Sequence, residues 1–131
     1  MPKFGKRSLE RLETCCVELQ NILHEVIKIY DISVLEGFRD EERQNQLFDE
    51  GRSKLRFPDG KHNKNPSDAV DVVPYPIDWN DDARFFFLAG LMFAEAERQG
   101  VKLRWGGNWR MDYDFANNSF KDLPHFEVVR G

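Results

Sequence analysis

Apolar side chains recur at three- and four-residue steps through Leu9, Leu12, Cys16, Leu19, Leu23, Val26 and Tyr30, the period of one helical face. With Ser8 as N-cap, the pattern predicts a first amphipathic helix to about Tyr30. The period then changes. Ile32 to Phe38 is short, apolar and partly β-branched, and ends in Gly37-Phe38-Arg39, which predicts a strand. Asp40 can cap a second, short helix through Glu50, with Gly51 as its left-handed stop. Arg52 to Ser67 has no apolar period, and a loop this long inside a compact domain is usually functional. Ala69 to Val73 reads as a strand with Ala69, Asp71 and Val73 on one face and Val70 and Val72 on the other. A carboxylate in that apolar setting requires a partner.

Pro74-Tyr75-Pro76 ends this strand, Asp78 or Asn80 can cap the next helix, and Ala83 to Gln99 reads as the core helix, closed by Gly100. Val101, Leu103 and Trp105 alternate with Lys102 and Arg104 as a further strand, and Gly106-Gly107 turns the chain. A polar stretch from Asn108 to Asp122 leads to a last strand, His125 to Val129, on which His125, Glu127 and Val129 share one face. This order of elements predicts an α+β fold, with helices packed on one small, mostly antiparallel sheet. A length of 131 residues suits one domain over 1–131 and leaves too little core for two.

Composition narrows the function. Hydrophobic residues at 40% supply a core, while a net charge of -4 argues against a nucleic-acid partner, which would call for a basic excess. The only two cysteines, Cys15 and Cys16, are neighbours on the expected helix, where a disulfide would be strained, so none is expected. No apolar stretch follows Lys3, Lys6 and Arg7, so no secretory signal is expected and the chain should be made and kept in a cytoplasm. The longest apolar run, Phe85 to Ala94, falls well short of the roughly twenty residues that span a bilayer, so no membrane insertion is expected.

Of the three histidines, His24 lies within the first helix and reads as an ordinary helix-face residue. His62 lies in the long loop and His125 opens the last strand. A catalytic zinc takes three ligands from His, Asp, Glu or Cys and leaves a fourth position to water, and His62, Asp71 and His125 supply such a set. Spacing alone leaves open a structural Asp and two unrelated histidines. Trp105 and Trp109, around Gly106-Gly107, read as core residues or as walls of a cleft, and Phe85-Phe86-Phe87 as packing.

The stretch His62-Asn63-Lys64-Asn65-Pro66-Ser67-Asp68-Ala69-Val70-Asp71 and the later Asp122-Leu123-Pro124-His125-Phe126-Glu127 resemble the two zinc motifs of the VanY-type D-Ala-D-Ala metallopeptidases. They resemble more closely the L-alanyl-D-glutamate peptidase endolysins of bacteriophages. Phe4-Gly5-Lys6-Arg7-Ser8, Gly37-Phe38-Arg39, Ile77-Asp78-Trp79 and Leu103-Arg104-Trp105-Gly106-Gly107-Asn108-Trp109 extend the likeness over nearly the whole chain.

The resemblance implies a hedgehog/DD-peptidase-like fold and zinc held by His62, Asp71 and His125. It also implies Asp122 as the acid/base acting on a zinc-polarised water. It implies Arg39 as the arginine after the first strand, suited to a substrate carboxylate or an oxyanion. Pairing of Arg39 with acids such as Asp40 is the alternative, and Glu127 reads either as a support for a ligand or as a solvated strand-edge residue. The implied partner is the peptidoglycan stem peptide. The implied setting is a monomer in the host cytoplasm that reaches the wall after holin-type permeabilisation. Two departures stand out: Gly60 replaces a Ser common two residues before the first ligand, and Ser67-Asp68 replaces a usual Gly. A carboxypeptidase releasing terminal D-Ala shares this ligand set. A wall-binding module that keeps the ion and discards the base is a further alternative, against which Asp122 argues.

Overall fold

In a computed structural model, which describes residues 2–115 and 121–131, the long N-terminal helical period is divided between α1 (Lys6–Leu12) and α2 (Val17–Val26). The single helix expected there is broken by a distant strand-like partner. Ser67 N donates to Thr14 O and Cys16 N donates to Ser67 O, both at 2.8 Å. Backbone groups spent on Ser67 cannot also close a helical ladder, so the helix stops. The apolar period survives because Leu12, Cys16, Leu19, Leu23 and Val26 are buried on both sides of the break. Ser8 is no N-cap. Gly5 precedes the first turn, and buried Ser8 instead accepts the Val34 N–H at 3.0 Å. Cys15 and Cys16 are free and buried, and burial pushes the Cys15 thiol up to about 12, which leaves it inert.

The remaining elements are β1 (Ile32–Glu36), α3 (Glu41–Asp49), a 3-10 turn at Lys61–Asn63, β2 (Ala69–Pro74), α4 (Asp82–Gln99), β3 (Leu103–Gly106) and β4 (Asp122–Val128). Asp40 caps α3 by accepting the Arg43 N–H at 2.9 Å. Gly100 closes α4 at φ 73°, where a side chain would be strained. The residue before α4 is Asp81 rather than Asp78 or Asn80. β4 begins at Asp122, earlier than expected, which brings that carboxylate into the sheet.

The sheet runs β1-β2-β4-β3 with every pair antiparallel, the α+β arrangement expected from the pattern. Its two faces divide the work of the molecule. Val70, Phe126 and Trp105 stand side by side across three strands, and the Phe126 and Trp105 rings stack at 6.1 Å. Leu19, Ile22, Leu88 and Met92 of α2 and α4 join them in one core, each buried side chain contributing roughly 1.5–3 kcal/mol. Phe85 is buried and Phe86 packs edge-on against Trp105, but Phe87 lies at the surface, because three successive helix positions cannot all face one core. The opposite face carries Asp71, His125, Glu127 and Arg104 and looks into a cavity of about 630 Å³. No described helix is long and apolar enough to cross a membrane.

Candidate metal centre and active site

Sheet register assembles two-thirds of the centre. Asp71 on β2 is the direct cross-strand partner of His125 on β4, and directly opposed residues hold their Cβ atoms roughly 4.5–5.5 Å apart. His62 arrives from the 3-10 turn and is fixed at both ends. Its Nδ1 lies 2.8 Å from Gly37 O, and its own carbonyl accepts the Arg39 N–H at 2.8 Å. Gly37 is itself pressed against the end of α1, since a Cβ there would lie 2.3 Å from Thr14 Oγ1 and 2.6 Å from Arg11 O.

His62 Nε2, His125 Nδ1 and Asp71 Oδ1 converge at separations of 3.3, 3.2 and 3.3 Å. A tetrahedral ion with bonds of roughly 2.0–2.1 Å spaces its ligands roughly 3.3 Å apart, so the triangle has the right edge. Asp71 Oδ1 is buried and makes no hydrogen bond despite the two nearby ring nitrogens, an orphan atom that a cation would satisfy. These three residues can hold a metal ion. The outward atoms fix the tautomers. Gly37 O only accepts, so His62 carries its hydrogen on Nδ1 and offers the Nε2 lone pair. Glu127 Oε1 lies 2.8 Å from His125 Nε2, which leaves His125 to ligate through Nδ1.

Electrostatics at the centre are strongly coupled. Burial raises the Asp71 carboxyl, but the adjoining His62 and His125 outweigh it and hold the group far below the ordinary carboxylate range. Burial disfavours the charged His125, yet Asp71 and Glu127 prevail and lift it to about 9 in the metal-free protein. Asp122 moves the other way. Burial raises its pKa, the Asp71 charge adds to the rise, and His125, His62 and Arg39 offset part of it.

A second layer holds these groups. Glu127 is 3% exposed, so it is no solvated edge residue; it receives Arg104 Nη2 at 2.9 Å across the β3–β4 pairing. The Arg104 guanidinium lies 5.3 Å over the Trp109 ring, and Trp109 packs 5.2 Å from the His125 ring. Trp109 therefore lines the cavity whereas Trp105 belongs to the core. Arg39 pairs with Glu36 rather than Asp40: Nη2 donates at 2.7 Å and Nε at 3.1 Å to the same oxygen, while Nη1 donates to Gln44 Oε1 at 2.9 Å. Its Nη2 also lies 3.6 Å from Asp71 Oδ2. Glu36 is the cross-strand partner of Asp71, so Arg39 separates two opposed carboxylates.

Gln44 is the residue that sequence reasoning passed over. Nothing in an isolated Gln on a short helix marks it, yet it is 1% exposed and accepts from Arg39 and Asn63 while donating to Ser53 Oγ and Leu55 O. It ties the long loop to the arginine. Gly60 fits against the same network, because a Cβ there would come 2.8 Å from Asn63 Oδ1. Ser67 and Asp68 serve the fold, Ser67 through its bridge to the α1–α2 break and Asp68 through Arg130 at 2.9 Å. His24 stays away from the centre, edge-on to Phe4.

Asp122 lines the same cavity as the three converging residues. Its backbone is pressed against Gly106, where a Cβ would sit 1.9 Å from the Asp122 carbonyl oxygen. All five residues singled out in the sequence, His62, Asp71, His125, Asp122 and Arg39, thus meet at one cavity.

Comparison with known proteins agrees with this geometry. The family described as phage L-alanyl-D-glutamate peptidase matches residues 1–129. The L-alanyl-D-glutamate peptidase of Escherichia phage T5 is 31% identical, over 98% of this chain and 90% of that protein. The crystal structure of the Serratia marcescens L-Ala D-Glu endopeptidase ChiX superposes with a TM-score of 0.78 at 26% identity, covering 97% of this chain and 90% of the other. With the match running almost end to end, the chain belongs to the phage L-alanyl-D-glutamate peptidase family.

Proposed function

We propose that the chain hydrolyses the L-alanyl-D-glutamate bond of the peptidoglycan stem peptide, with zinc held by His62, Asp71 and His125 and with Asp122 as acid/base. The observation that carries this reading is the triangle of ligand atoms 3.2–3.3 Å on a side, with an orphaned carboxylate oxygen at one corner and Asp122 in the same cavity wall. Zinc at such a site supplies a Lewis acid that polarises a carbonyl and lowers the pKa of water from about 15.7 toward 7. Asp122 then takes the proton of the attacking water and delivers it to the leaving amine, and its raised pKa suits a group that must both accept and donate. Arg39 has three N–H groups committed to Glu36 and Gln44. Its remaining donors steady Asp71 and face the developing oxyanion or a substrate carboxylate. Glu127 holds the His125 ring, and Trp109 shields it from water.

As a phage-family peptidase acting on the wall, the protein is expected as a monomer released from the host cytoplasm by holin-type permeabilisation. The test is mass spectrometry of purified peptidoglycan after digestion, with and without a chelator. The expected products carry a new D-Glu amino terminus and disappear when the metal is removed. Release of free D-alanine instead would identify a carboxypeptidase, and wall binding without any cleavage at full zinc occupancy would identify a non-catalytic module.

A further inference from the structure

Charge is unevenly distributed around the cavity. Away from the metal-binding triangle its wall is built by Arg43 of α3, Arg52 and Lys54 of the following loop, and Lys61 beside His62, with Asp59 the one acid on that stretch. This basic arm stands out in a chain of net charge -4. Arg43 lies 3.5 Å from Glu36, but that carboxylate is already bound by Arg39. Arg52 faces Glu50 at 3.3 Å with both side chains exposed, a weak pairing in water. Lys61 is exposed, and among the described residues no carboxylate pairs with it. The arm's inner end is Lys61, one residue from His62, and Arg43, which contacts the Glu36 that stands opposite Asp71.

We propose that Lys61 and Arg43 form a subsite for the free carboxylate of the D-glutamyl residue, so that the enzyme distinguishes this carboxylate from its carboxamide. The inference rests on the proposed peptidase activity and deepens it. A glutamyl residue joined onward through one carboxyl leaves the other ionised, while the alanyl side of the scissile bond contributes no charge. The anionic groups of the stem therefore follow the bond that is cut. A cleft basic at one end matches a substrate anionic at one end, which fixes the direction of binding: the D-glutamyl side lies along the arm. Ammonium and guanidinium groups side by side on a cavity wall bind such a carboxylate through charge-assisted hydrogen bonds.

The test compares two synthetic stem tripeptides, identical except that the D-Glu carboxylate is free in one and a carboxamide in the other. The zinc-loaded enzyme is expected to favour the free carboxylate about tenfold in kcat/KM, chiefly through KM, with the preference shrinking at ionic strengths well above about 0.15 M. In the Lys61→Met, Arg43→Gln double variant the ratio falls toward one while zinc content stays at the wild-type level; Lys61→Arg keeps the preference. Equal hydrolysis of both peptides by the wild-type enzyme, or an undiminished preference in the double variant, overturns the subsite and leaves the peptidase reading standing. Failure to cleave either peptide overturns that reading and the subsite with it.

Discussion

Each oxygen of Asp71 answers to a different neighbour: Oδ1 to two imidazoles, Oδ2 to the Arg39 guanidinium. Without a metal, the neighbouring Asp71 and Glu127 carboxylates keep His125 charged up to about pH 9. A histidine pKa raised by folding contributes stability that is full below about 6.5 and is lost as pH rises through 9. The metal-free protein is therefore expected to lose stability between those values, as thermal melts across the range would record. The same proton must leave before Nδ1 can ligate. Calorimetry of zinc binding near pH 7.5 should show about one proton released, read from the dependence of the enthalpy on buffer ionisation; a buffer-independent enthalpy would contradict the His125 assignment. Glu127→Gln is expected to weaken zinc by about 10–100-fold in chelator competition, because the ring it holds loses its orienting carboxylate.

At the scale of elements, strand registers were easier to read than boundaries. Alternation over Ala69 to Val73 and His125 to Val129 put Asp71, His125 and Glu127 on one side of their strands, and the β2–β4 pairing then made Asp71 and His125 neighbours. Local periodicity carries that much. It could not show that Ser67 would claim the backbone of Thr14 and Cys16, since that pairing spans more than fifty residues, nor that Ser8 would bind Val34 rather than cap a helix. It could not show Gln44 either, whose role exists only once the loop has folded over α3. The β3–β4 contact at Gly106 makes a sharper test. Gly106→Ala places a methyl 1.9 Å from the Asp122 carbonyl oxygen and must displace the start of β4. Turnover is expected to fall by about 100-fold or more, the scale on which a displacement of about 1 Å acts. Zinc should remain bound, because His125 lies further along the strand. Normal turnover in this variant would show that Asp122 needs no such support.

Across the whole molecule, the sheet separates a dry face from a reactive one. Val70, Phe126 and Trp105 bury one side against α2 and α4, and that packing holds rigid the strands from which Asp71 and His125 project. The architecture was legible because its core obeys simple periods. Which loop residue closes the centre was legible only through motif likeness, since the spacing of His62, Asp71 and His125 is by itself unremarkable. Joining the 3-10 turn, β2 and β4 through one ion should also tie the long loop to the sheet. With free zinc at about 1,000 times its Kd, the ion adds roughly 4 kcal/mol, so chelation should lower Tm by on the order of 10 °C. The most direct test measures zinc content and turnover on the same dialysed samples of wild-type protein and Asp122→Ala. The account predicts one zinc per chain in both and hydrolysis only in the wild type; near-normal hydrolysis by Asp122→Ala, or wild-type hydrolysis without bound metal, would contradict it.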